Sequence, residues 1–99
     1  MLQQTIARLA KQYKQSNINI RRHLHQHPEL SYLEFETSQY IQQQLKEYGI
    51  PFTIMAKTGV IGWIEGSQPS NRVIALRADI DALPIEEEND LDYKSTRPG

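Results

Sequence analysis

The sequence contains no cysteine. That absence rules out a disulfide framework and any thiolate metal site within these 99 residues, and it fits a reducing compartment. No segment approaches the run of roughly 18 apolar residues that a membrane-spanning helix needs. The N-terminal stretch "MLQQTIARLAKQYKQ" alternates polar and apolar residues and has no uninterrupted apolar core, so it does not read as a secretory signal. Neither sign of charge dominates, with 11 Lys and Arg against 12 Asp and Glu, a net charge of -1 and a pI near 6.3. Such a balance offers no broad basic field, so neither nucleic acid nor an anionic membrane is expected as a partner, and the expected location is the cytoplasm. Also missing are a phosphate-cradling glycine loop, a nucleophile elbow, a paired-cysteine metal site, an internal repeat and any low-complexity tract.

What is present is an ordinary globular composition, 38% hydrophobic and 23% charged. A chain of this length is one small unit, or a piece of a larger one, and folding buries roughly 60 to 65% of its unfolded surface, enough for a thin core. Ile6, Ala10, Tyr13, Ile20 and Leu24 share one side of a helical wheel. They predict a helix from about residue 3 to about residue 26, with Ser16-Asn17 the place for a bend. His27 precedes Pro28 and should end it. A second helix is expected to start at Ser31 with Glu34 completing a capping box, to stop at Gly49, and to bury Thr37, Tyr40 or Ile41, Gln44 or Leu45, and Tyr48. Beyond Pro51 the period shortens, and "FTIMA", "GVIGWIE" and "NRVIALRA" read as three strands joined by short turns, the third apolar enough to be central. The fold class read from this order is α/β or α+β.

Two clusters can carry chemistry. The first follows the third predicted strand in "RADIDALPIEEE", because ligand sites in α/β sheets gather beyond the carboxyl ends of strands. In extended backbone Arg77, Asp79 and Asp81 project to one side at spacings of about 6.5 to 7 Å. Carboxylates so placed can orient a divalent metal or a water, and Arg77 can hold an anionic group. The alternative is that Arg77 simply pairs with Asp79 and Asp81 opens a turn before Pro84. For Glu86, Glu87 and Glu88 the simplest reading is a solvated loop, although one of the three can still matter. The second cluster is His23, His25 and His27. His23 and His27 have the i, i+4 spacing of zinc ligands, but the glutamate of the zinc-protease signature is missing because Leu24 follows His23, and histidines at a helix end more often cap it.

Together, "HLHQHPELSYLEFETSQYI", "LKEYGI", "TGVIGWIEG" and "IALRADIDALPIEE" resemble consecutive blocks at the beginning of the hippurate hydrolase and auxin-conjugate amidohydrolase family. That family is part of the aminoacylase and zinc-carboxypeptidase superfamily. The likeness runs from about Arg21 to Gly99, and its most specific feature is "RADIDALP" about fifty residues after "HPEL".

The resemblance implies an α/β/α sandwich of the zinc-exopeptidase kind, of which residues 1–99 are the N-terminal portion; a smaller dimerisation domain belongs to the later chain. It implies hydrolysis of the amide bond of a small-molecule N-acyl amino acid by water activated at a two-metal centre, zinc, manganese or a similar divalent ion, with a glutamate as general base. In the family the metals are held by a His-Ala-Cys-Gly-His-Asp stretch and later Glu and His residues. That stretch normally begins just past "STRPG", and nothing in residues 1–99 matches it. The chain alone is therefore expected to bind no catalytic metal and to be inactive. A homodimer is expected of the complete enzyme, and association with a separately encoded remainder is the alternative role for the chain. In the wider superfamily a His-x-Asp pair follows this strand, and here Asp79 stands at the His and Asp81 at the Asp. The resemblance thus gives Asp81 a supporting role behind a metal ligand, with Arg77 and Asp79 on the same wall.

Overall fold

The computed structural model describes residues 2–68, 70–85 and 87–97, and has three helices and two strands. They are α1 (Leu2–Gln12), α2 (Lys14–Gln26), α3 (Phe35–Glu47), β1 (Phe52–Met55) and β2 (Gly59–Gly62). The chain divides into two units, Met1–Pro28 with Ile85–Gly99, and Glu29–Pro84. No helix is long and apolar enough to cross a membrane, among the described residues.

In the first unit the expected long helix is interrupted at Tyr13 and not at Ser16-Asn17. Tyr13 has φ -96° and ψ 6°, outside the helical basin, yet it donates to the Leu9 carbonyl at 3.0 Å and accepts from the Asn17 N–H at 2.9 Å. The helical hydrogen bonding thus runs through the break; nothing in the neighbouring residues explains why it falls there. At the other end His27 leaves the α region (φ -122°, ψ 62°), as the following proline demands. Residues 87–97 return to this helix end, where the Thr96 N–H and hydroxyl both donate to the Gln26 carbonyl, at 3.0 and 3.1 Å. A helix terminus leaves such carbonyls without intrahelical partners, and Thr96 supplies one.

In the second unit the capping of α3 differs from the sequence reading. The Glu36 and Thr37 N–H groups donate to the carboxylate of Glu29, at 3.2 and 2.5 Å, so Glu29 takes the capping role expected of Ser31. Glu34 stands at the N-cap without a side-chain cap, its carboxylate turned instead to other donors. The stop is as expected: Gly49 has φ +69°, and the Ile50 N–H reaches back to the Leu45 carbonyl at 2.9 Å. Thr37 and Ser38 are buried and Tyr40, Ile41, Gln44 and Leu45 half-buried, but Tyr48, expected inside, is 58% exposed because it lies on the final turn, past the part of α3 that meets the hairpin.

β1 and β2 pair antiparallel with Phe52 opposite Gly62 and Met55 opposite Gly59. Their turn holds Ala56 and Lys57 at φ 54° and 70°, a region that costs a side chain about 1 kcal/mol or more. The third expected strand does not form. Residues 71–78 pair with neither described strand, and Val73, Ile74 and Leu76 are 87%, 88% and 97% exposed. A strand needs a neighbour to take its N–H and C=O groups, and this segment pairs with the outer edge of neither β1 nor β2. Among the described residues the segment is tied to another part of the unit at its end, where a parallel bridge joins Leu30 to Ala82 and the Ala82 N–H donates to the Glu29 carbonyl at 2.7 Å. Among the described residues no apolar side chain is fully buried, so even a thin apolar core is missing; the buried residues are Glu34, Thr37, Ser38 and Thr58.

Candidate functional site

Arg77, Asp79 and Asp81 lie on the stretch that leads to the Ala82 bridge. One Arg77 nitrogen stands 3.2 Å from Asp79 Oδ1, with the two side chains 90% and 74% exposed. Such a pair is screened by water and contributes between zero and about 1 kcal/mol. The pairing of Arg77 with Asp79 weighed at the sequence is present here. Asp81 is exposed, one residue before the bridge that fixes the local backbone.

The histidines separate into two arrangements. His27 Nδ1 lies 2.8 Å from the His23 carbonyl, so its Nδ1–H caps the end of α2, and the two rings stand 4.5 Å apart between centroids. Burial, and then the neighbouring His27, hold the His23 pKa below its ordinary value. His25 points elsewhere: its Nε2 meets both carboxylate oxygens of Glu87, at 2.7 and 2.8 Å. The Glu87 side chain is only 12% exposed and also accepts the Ser95 N–H at 3.2 Å. The hydrogen bond from His25, with a smaller contribution from Ser95 and the charges of His25 and Lys94, lowers the Glu87 pKa despite desolvation acting the other way. Glu87 is thus not a solvated loop residue. Glu88 is exposed, and Glu86 lies outside the described residues.

Glu34, expected only as half of a capping box, and Thr58, given no role by the sequence reading, supply the second unit's polar centre. Glu34 accepts the Tyr32 N–H and the Thr58 hydroxyl, both at 2.6 Å, and both Glu34 and Thr58 are 5% exposed. The bond joins the start of α3 to the hairpin turn across 24 residues, so no local pattern announces it. Tyr32 itself has φ 67°, the left-handed region in which its N–H meets Glu34.

No group of three or more His, Asp or Glu side chains converges with metal-binding geometry among the described residues. The described side chains therefore do not fit a two-metal centre by themselves.

The second unit is an α/β arrangement, a helix beside a hairpin, with a charged segment beyond it. No family model matches the chain. An uncharacterised hydrolase of Staphylococcus epidermidis is 60% identical over 75 residues, which span 76% of this chain and 19% of that protein. The N-acyl-L-amino acid amidohydrolase of Geobacillus stearothermophilus is 44% identical over the whole chain, which spans 27% of it. A solved dinuclear metal-binding peptidase of the M20 family from Bacillus subtilis superimposes with a TM-score of 0.83 at 46% identity, over 90% of this chain and 25% of that one. Over these residues the chain is homologous to those amidohydrolases and to the M20 metallopeptidase, and it spans about a fifth to a quarter of their length.

Proposed function

We propose that residues 1–99 are the N-terminal portion of the catalytic domain of a metal-dependent amidohydrolase that hydrolyses the amide bond of N-acyl amino acids. The observation that carries this reading is 44% identity, across the full chain, to an N-acyl-L-amino acid amidohydrolase. The divalent metals are proposed for the complete enzyme on the likeness to a dinuclear metal-binding peptidase, where they would activate the attacking water. Their ligands and the general base are assigned to chain beyond these residues, as is the dimerisation domain, and the complete enzyme is proposed to be a cytoplasmic homodimer. Within residues 1–99, Asp81 is the proposed supporting residue, with Arg77 and Asp79 on the site wall.

A second reading is favoured by one observation, the near-complete exposure of Val73, Ile74 and Leu76. On that reading the chain has no catalysis of its own and acts by associating with a separately encoded remainder.

The test is hydrolysis of an N-acyl amino acid, with zinc or manganese supplied, by purified residues 1–99 alone and after mixing with the part of the Geobacillus relative that lies beyond the matched region. Hydrolysis is expected in the mixture and not in either part. Turnover by residues 1–99 alone, abolished by a chelator, would falsify the claim that the ligands lie elsewhere.

A further inference from the structure

Charge in this chain is unevenly placed. The first 28 residues hold five of the 11 Lys and Arg, namely Arg8, Lys11, Lys14, Arg21 and Arg22, and none of the 12 Asp and Glu. Three of those five, Lys14, Arg21 and Arg22, line one open cleft of about 440 Å³, with Ala10 and Ile18 as apolar lining and Tyr93 as a wall. The positions follow from helix geometry: 10, 14, 18, 21 and 22 recur at steps of three and four and so face the same way, the hydrogen bonding at Tyr13 carrying the register from α1 into α2. Tyr93 comes from the returning segment, which the bonds from His25 to Glu87 and from Thr96 to Gln26 hold in place. The Arg22 guanidinium carbon lies 4.5 Å from the centre of the Tyr93 ring and that of Arg21 5.9 Å, a cation–π arrangement that organises both arginines beside the cleft.

Three cations brought into one concavity repel one another, and among the described residues none of the three makes an ion pair; the two ion pairs there are His25–Glu87 and Arg77–Asp79. A carboxylate opposite them would be the usual relief on a purely structural surface. We infer that Lys14, Arg21, Arg22 and Tyr93 form a binding site for a compact polyanion of the phosphate ester or diphosphate class. Guanidinium groups meet phosphate oxygens in a two-pronged fashion, an ammonium adds a point charge, and the tyrosine face and the apolar lining accept the organic part of an ester. This site is independent of the amidohydrolase reading.

The experiment is calorimetric titration of residues 1–99 with pyrophosphate at about 50 mM salt, repeated on Arg22→Gln, Lys14→Gln and, as a charge-matched control, Arg72→Gln. The expected result is saturable binding with a Kd below about 1 mM, weakened about tenfold or more by Arg22→Gln and Lys14→Gln, as befits loss of one charge-assisted contact, and little changed by Arg72→Gln. Circular dichroism of each variant separates loss of the site from loss of α2, and Lys14, exposed on the helix, is the position least able to unfold it. Co-sedimentation with phosphatidylcholine vesicles, with and without a phosphoinositide, distinguishes the two sources of the phosphate. Phosphoinositide-dependent pelleting that pyrophosphate displaces identifies a lipid headgroup, and its absence beside calorimetric binding identifies a soluble ligand. No saturable heat, or equal loss in all three variants, overturns the proposal.

Discussion

Glu87 shows how one carboxylate can hold a stretch of chain. It takes the His25 ring on both oxygens and the Ser95 N–H as well, and it is largely shielded from water. Because its pKa in the fold lies below the ordinary 4.5, the ionised form is favoured by folding. The stabilisation it contributes is therefore complete above that ordinary value and is lost as the pH falls through the lowered one. Exchange protection of the Thr96 amide, bonded to Gln26, should accordingly decline in that acid window, and in Glu87→Gln the decline should be flattened and protection already reduced at neutral pH. Unchanged protection in the variant would show that the pair does not hold the segment. His23 contributes with the same sign at higher pH: its pKa is lowered below 6.5, so the folded form loses stability as that ring is protonated. The two events are separable, since Glu87→Gln leaves the His23 window in place.

At the level of elements, the hairpin rests on a glycine and a buried bond. A Cβ on Gly59 would stand 2.7 Å from the Met55 carbonyl oxygen, a backbone atom that cannot swing away. The same turn already carries Ala56 and Lys57 at positive φ, and is tied to α3 through Thr58 and Glu34. Gly59→Ala should therefore destabilise the β1–β2 pair by about 1–3 kcal/mol, read as a lower urea midpoint for the strand amides; an unchanged midpoint would mean that the turn relaxes freely. Much of this level was legible in the sequence. The helix stop at Gly49, the end of α2 before Pro28 and the two strands of the hairpin follow from local rules about glycine, proline and alternation. Legibility ended where a partner lay far along the chain. Glu34 met Thr58 across 24 residues, and His25 found Glu87 across 62. The apolar run at residues 73–76 has the composition of a central strand, but composition cannot supply a neighbouring strand edge. For the candidate site, sequence order alone singled out Arg77, Asp79 and Asp81. Their exposure and the pairing of the first two are matters of three-dimensional environment that no local pattern encodes.

On the scale of the whole molecule, the surface area sets the terms. With no fully buried apolar side chain among the described residues, and with Val73, Ile74 and Leu76 bare, there is apolar surface to be covered by other protein. Relatives about four times as long have further chain that could supply such cover, which accords with the amidohydrolase reading and with its association variant alike. The central proposal is that the segment from Arg77 to Asp81 borders the catalytic site of the assembled enzyme. Its most direct test is Asp81→Asn in residues 1–99 mixed with the remainder of the Geobacillus relative, under conditions where the two parts co-elute. The account predicts turnover of the N-acyl amino acid, or the metal concentration needed for half-maximal turnover, to worsen by roughly 10- to 100-fold, as for loss of a group that orients a metal ligand, with association unchanged. Full activity with an unaltered metal requirement would contradict it.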